Sequence, residues 1–125
     1  MNPVSLWGPV VIYMAAIFYA SSLTVVPGPV GWFSDTFLHM ACYGGLALLA
    51  LRALARGRWS GVSLGVAIGA WLIATLYGVS DEWHQLYVPG RTAEIRDLLN
   101  DTAGALAAAG AAGAWGIMRG PSRAA

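Results

Sequence analysis

The sequence predicts an all-α membrane protein: a bundle of four transmembrane helices with both termini in the cytoplasm. Three observations lead there. The 125 residues are 58% hydrophobic and only 10% charged, with a mean hydropathy of +0.62, well above that of a soluble domain of this length. Four long apolar runs recur, at about 4–26, 37–54, 62–79 and 98–118. The basic residues, all of them arginine, fall unevenly along the chain.

At about 1.5 Å of helical rise per residue, each run is long enough to cross a hydrocarbon layer of roughly 30 Å. In lipid the backbone must satisfy its own hydrogen bonds, and the runs lack alternating polar positions, so helices are expected rather than a barrel. The first run is followed by the small residues Ala20, Ser21 and Ser22, as a secretory signal would be. "MNPVSLW" carries no basic residue, however, and a retained helix is predicted. "VVPGPVGW" (25–32) is a Pro/Gly turn that ends it.

The second run starts near Ser34 and Asp35, both good capping residues. It contains the lone cysteine, Cys42, expected to be a buried inert thiol. "ARGRWSG" (55–61) forms a short basic turn before the third run, where Gly61, Gly65 and Gly69 recur every four residues. The fourth run has Gly104, Ala108 and Ala112 on a similar row and is mostly Ala and Gly beyond Leu106, which predicts a central position. Both rows are expected to be helix contacts within one chain, a homo-oligomer being the lesser alternative. Trp7, Trp32, Phe33, Trp59, Tyr87 and Trp115 lie at span ends and are expected interfacial anchors. Residues 1–125 are expected to form a single domain.

Arg52 lies at the end of the second run and Arg56 and Arg58 follow it; Arg119 and Arg123 follow the fourth. The positive-inside rule puts both groups in the cytoplasm. All six acids (Asp35, Asp81, Glu82, Glu94, Asp97, Asp101), both histidines, Arg91 and Arg96 are then predicted on the outer side. Seven of the thirteen charged residues fall within "DEWHQLYVPGRTAEIRDLLND", residues 81–101.

Helical spacing turns several of these groups to common faces. Asp35, His39 and Tyr43 succeed one another by one turn, as do Tyr77, Asp81 and Gln85; Asp97, Asn100, Asp101 and Gly104 are three and four apart. Carboxylates and imidazoles are the groups of general acid/base chemistry and of metal binding. The candidate catalytic residues are therefore Asp35, His39, Glu82, Asp97 and Asp101. The candidate substrate-binding residues are Ser22, Tyr43, Asp81, His84, Gln85, Arg91 and Asn100, with the Arg91 guanidinium suited to an anionic phosphate. A divalent metal is an open alternative as cofactor, with Asp35 and His39 as the plausible helical pair of ligands; Glu82 and His84 are too close in sequence to aim at one ion.

A structural reading competes: Arg91 and Arg96 pairing with Asp81, Glu82, Asp97 or Asp101 to close the outer end of the bundle. A serine nucleophile is disfavoured because no strained turn surrounds Ser21 and Ser22. So is a proton path, because the inner halves of the helices lack ionisable groups.

"FYASS" (18–22), "DTFLHMACYGGLALL" (35–49) and "YGVSDEWHQLYVPGRTAEIRDLLNDTAGALAAA" (77–109) resemble the VanZ-like membrane proteins. The matching positions are Ser22, Asp35, His39, Tyr43, Glu82, Gln85, Pro89, Gly90, Arg91, Asp97, Asn100, Asp101 and Gly104. Thr36 departs from the family, where lysine is frequent. The resemblance implies a small bacterial membrane protein of a family whose named member is associated with low-level teicoplanin resistance. Expected partners are a membrane lipid, a lipid-linked envelope component or an amphiphilic glycopeptide, and no nucleic acid. The alternative is a non-enzymatic scaffold whose polar cluster binds partner proteins.

Overall fold

The computed structural model describes residues 1–25, 28 and 33–120. It contains four helices, α1 (Pro3–Ser21), α2 (Asp35–Leu54), α3 (Leu64–Gln85) and α4 (Ile95–Arg119), with a 3-10 turn at Trp59–Gly61. There is no strand among the described residues. The predicted anchor Trp32, most of the 25–32 turn, and Arg123 lie outside the described residues.

Helix starts follow from capping. The side chains of Asn2, Ser34 and Ser63 accept the Ser5, Phe37 and Val66 backbone N–H groups at the starts of α1, α2 and α3, satisfying donors that a first turn leaves free. Pro3 sits in the first turn of α1, where a missing N–H costs nothing. Pro9 lies inside the helix and cannot donate to the carbonyl four residues back. That carbonyl belongs to Ser5, and Arg52 Nη1 donates to it at 3.2 Å, tying the end of α2 to the start of α1.

Helix ends differ from the expected run boundaries. α1 stops at Ser21, five residues short of the predicted limit. α2 closes with paired bonds from Arg56 N–H to Ala53 O and from Gly57 N–H to Arg52 O. This is a Schellman closure in which Arg56 itself adopts a positive φ of 54°. α3 runs on to Gln85, six residues beyond the end of the third apolar run. Pro89 disfavours helical backbone at the preceding residue, and three successive i→i+3 bonds through Leu86, Tyr87 and Val88 unwind the helix before it. Val88–Arg91 is then a type II turn: Arg91 N–H donates to Val88 O, Pro89 stands second, and Gly90 takes the required positive φ of 78°.

The helices run up and down. Arg52 meets Ser5, and a side chain on Gly116 would strike Val62, at one end; His39 meets Asp101, and His84 meets Ser21, at the other. α4 packs against both α2 and α3, while α1 lies against α2 and touches α3 more lightly. The core is mostly alanine: Ala47, Ala50, Ala70, Ala74, Ala105 and Ala109 surround Leu46 and Tyr43, all at most 1% exposed. Such small side chains let helix backbones approach closely. The outward faces carry large apolar groups, among them Ile12, Leu72, Leu76, Leu99 and Leu106, as lipid-facing surfaces do. α1, α2 and α3 are each long and apolar enough to cross a membrane. α4, rich in Ala and Gly, is not among them; it packs against both α2 and α3, with its remaining face exposed.

The small-residue rows sort differently from expectation. A side chain at Gly104 would collide with the Met40 backbone, so α2 and α4 touch there at main-chain distance. Gly61 lies in the 3-10 turn outside α3, and Gly65 is exposed with only the Ser63 hydroxyl near it. The face of α3 that packs is Ala67, Ala70, Ala74 and Gly78. The predicted Gly61–Gly65–Gly69 contact row is thus not the packed one: spacing alone cannot choose among several small-residue rows on one helix.

Candidate functional site

Four helix ends bring the polar residues together at one end of the bundle. Arg52, Arg56, Arg58 and Arg119 lie at the other, on the end of α2, the turn after it and the end of α4. The charge segregation expected from the sequence is therefore a property of the folded chain.

At the centre, His39 Nδ1 lies 2.7 Å from Asp101 Oδ1, and His39 Nε2 lies 3.6 Å from Asp97 Oδ2. The three residues join α2 to α4. Tyr43, one turn deeper, donates its hydroxyl to Asp81 Oδ2 at 3.1 Å, joining α2 to α3. Glu82 Oε2 accepts the Glu94 backbone N–H at 2.9 Å, which secures the entrance to α4, where no side chain of its own caps the helix. Gly78 makes the arrangement possible: a side chain there would crowd Asp101 and the Tyr43 ring.

Three carboxylate oxygens in this group are buried with no hydrogen bond: Asp81 Oδ1, whose nearest cation is His84 Nδ1 at 4.0 Å, Glu82 Oε1 and Asp101 Oδ2. Asp101 is fully buried and Glu82 is 8% exposed. Buried polar atoms are ordinarily hydrogen-bonded, so three such oxygens within one cluster set it apart from the rest of the interior. His39, Glu82 and Asp101 each place one ligand-capable atom within 4.8 Å of the others. Asp35, the other half of the plausible helical pair, is exposed at the start of α2 and outside this group, though it lines the neighbouring cleft with His39.

Beside the cluster a cleft of about 120 Å³ opens between α1, α2 and α3. Ile17, Ala20, Leu38 and Cys42 form an apolar wall; Asp35, His39, Asp81, Gln85 and Arg91 supply polar groups. Gln85 is 2% exposed; in the amide orientation that satisfies its neighbours it donates to Thr92 O at 3.3 Å and accepts from Arg91 Nη2 at 3.0 Å. Arg91 Nη1 donates to Leu23 O at 3.4 Å. The guanidinium is thereby held at the cleft by uncharged groups.

The predicted arginine–acid network is not formed. Arg91 bonds Gln85 and Leu23, Arg96 reaches only Glu94 at 3.5 Å, and neither pairs with Asp81, Glu82, Asp97 or Asp101. The ion-pair partners of the buried acids among the described residues are histidines.

His84 turns away from Glu82, as their two-residue separation requires. Its ring nitrogens face Ser21 Oγ at 3.2 Å and Ser22 Oγ at 3.4 Å, and its ring stacks on Phe18 with centroids 4.1 Å apart. Together with the Tyr77 hydroxyl, which donates to Met14 O at 2.6 Å, it fastens α1 to α3. Asn100 stands apart, its amide 3.5 Å from the Thr36 hydroxyl. Of the twelve predicted residues, Ser22 and Asn100 thus have partners outside the central cluster, His84 links α1 to it through Asp81 Oδ1 at 4.0 Å, Asp35 lines the cleft, and the rest converge. The apolar wall was missed. Its signal was present as Ile17, Ala20 and Ser21 on α1 and Leu38 and Cys42 on α2, each at helical spacing, but nothing distinguishes such positions from ordinary core or lipid-facing ones before the helices are packed.

Apolar membrane-length helices that bury a carboxylate–histidine cluster beside a part-apolar cleft define a helical membrane protein with its polar residues gathered at one end. The VanZ/LLP1 family model matches residues 15–116, and the chain belongs to that family. No curated protein and no solved structure matches it.

Proposed function

We propose that the chain is a single-domain, four-span protein of the bacterial cytoplasmic membrane, with both termini in the cytoplasm and the polar cluster outside. There it binds, and acts on, the headgroup of an amphiphile: a lipid-linked envelope component or an amphiphilic glycopeptide such as teicoplanin. The grouping of Arg52, Arg56, Arg58 and Arg119 at the opposite end supports the orientation through the positive-inside rule. α4 supports the fourth span by its length, since 25 residues rise roughly 37 Å at 1.5 Å each.

The carrying observation is the cleft's division into an apolar wall on α1 and α2 and a polar floor ending at Arg91. An acyl or prenyl chain fits the first. An anionic headgroup fits the second, with the Arg91 guanidinium offering paired donors and Gln85 holding it in place. His39, with Asp97 and Asp101 on its two nitrogens, has the setting of a general acid or base, and Glu82 and Asp35 stand as further carboxylates.

The test is native mass spectrometry of the protein released from membranes in a gentle detergent. One phosphate-bearing amphiphile per chain is expected on the wild type. Arg91→Ala, with its melting temperature within a few degrees of wild type, is expected to lower occupancy about tenfold or more, the scale of a charge-assisted hydrogen bond. Equal occupancy in the two proteins would overturn the reading. A scaffold role draws support from the way Glu82, Asp101 and Asp81 each tie two helices; it predicts a stoichiometric protein partner and full tolerance of Glu82→Gln.

A further inference from the structure

We propose that His39, Glu82 and Asp101 form a binding site for one divalent metal ion. The inference deepens the reading above, because the ion would sit directly behind the His39 wall of the headgroup cleft. Three independent features point to it.

The first is geometry. One ligand atom from each residue lies within 4.8 Å of the other two. In a tetrahedral site with bonds of about 2.0–2.1 Å, ligand atoms stand roughly 3.3 Å apart, so side-chain rotations of about an ångström close the set without moving a helix.

The second is the pair of orphaned oxygens. Glu82 Oε1 and Asp101 Oδ2 are buried and unpartnered, while the other oxygen of each carboxylate is already fixed, by Glu94 N–H and by His39 respectively. Each carboxylate is therefore anchored through one oxygen and has the other to spare.

The third is charge. Asp81, Glu82, Asp97 and Asp101 crowd one end of the bundle, and both nearby arginines bond elsewhere. Gathering like charges out of water is unfavourable unless a cation compensates.

The supporting shell is also in place. Metal-bound imidazoles usually give their other ring nitrogen to a carboxylate. Here Nδ1 faces the Asp101 carboxylate and is the nitrogen placed to ligate, while Asp97 Oδ2 stands 3.6 Å from Nε2 to take its proton. His39 is 15% exposed through its side chain and lines the cleft, which supplies the way in. A nitrogen–oxygen set without thiolate suits Zn²⁺, Mn²⁺ or Fe²⁺. Three protein ligands leave a coordination position open, the pattern of catalytic rather than structural zinc; a headgroup oxygen entering from the cleft could take it.

The experiment is calorimetric titration of Zn²⁺ into the chelator-treated, tag-free protein in detergent, with metal content checked by plasma mass spectrometry. Wild type is expected to take up one Zn²⁺ per chain and to melt at a higher temperature when loaded. Glu82→Gln and Asp101→Asn are expected to bind at least about tenfold more weakly. Arg58→Ala and Gly110→Ala, which lie away from both the cluster and the cleft, are expected to bind as wild type does. Absence of stoichiometric uptake by wild type would overturn the proposal, with no variant needed, as would unchanged affinity in both Glu82→Gln and Asp101→Asn. No amphiphile enters this titration. Protein that retains its lipid but takes up no zinc refutes the metal site alone; protein that takes up zinc but retains no lipid refutes the headgroup reading alone.

Discussion

Asp101 and Tyr43 show how the cluster is held. Tyr43 is 1% exposed and gives Asp81 its hydrogen bond; the other Asp81 oxygen has none. Tyr43→Phe keeps the ring and leaves Asp81 without that donor, so it is expected to destabilise by about 1–3 kcal/mol, the cost of orphaning a buried polar group. Thermal unfolding in detergent measures this, and a Tyr43→Phe protein as stable as wild type would show that Asp81 finds another donor. His39, Asp97 and Asp101 were legible in the sequence because helical spacing is rigid: residues three and four apart must share a face. The arginines were not. Arg91 hangs from a turn by a long flexible side chain, and its choice of Gln85 and Leu23 over four nearby carboxylates depends on the unwinding of α3 after Gln85, which apolarity does not mark.

α4 is the element on which the site depends, since it carries Asp97 and Asp101 and presses Gly104 against the Met40 backbone. Gly104→Ala must push α2 and α4 apart and is expected to cost about 1–3 kcal/mol, the usual range for overpacking. Because the same contact sets the distance from His39 to Asp101, metal or headgroup retention should fall with it. Gly110, six residues further along the same helix, has nothing within 4 Å of an added side chain. Gly110→Ala is expected to be neutral or stabilising by up to about 1 kcal/mol through helix propensity. Paired melting curves check the two, and equal effects would mean that the helices do not approach as described. The existence of four helices was readable from length and apolarity, and so was capping at Ser34. Which face of α3 packs was not, because Gly61–Gly65–Gly69 and Ala67–Ala70–Ala74 are equally small. Gly78, which makes room for Tyr43 and Asp101, is what separates them, and its role follows from a contact between three helices.

The molecule as a whole is electrically polarised along its helix axes, with Arg52, Arg56, Arg58 and Arg119 at one end and the acids, histidines, Arg91 and Arg96 at the other. That division could be read from the sequence by counting arginines, since an up-and-down bundle sends alternate connections to opposite ends. The cleft could not, because it exists only where α1 leans less closely on α3 than its neighbours do on each other. The most direct measurement is photo-crosslinking in living cells from a benzophenone amino acid placed at Ala20, in the cleft wall, and separately at Leu106, on the outward face of α4. Capture of one defined headgroup-bearing envelope amphiphile from Ala20, with only bulk phospholipid captured from Leu106, is the predicted result. The same mixture of bulk phospholipids from both positions would contradict it.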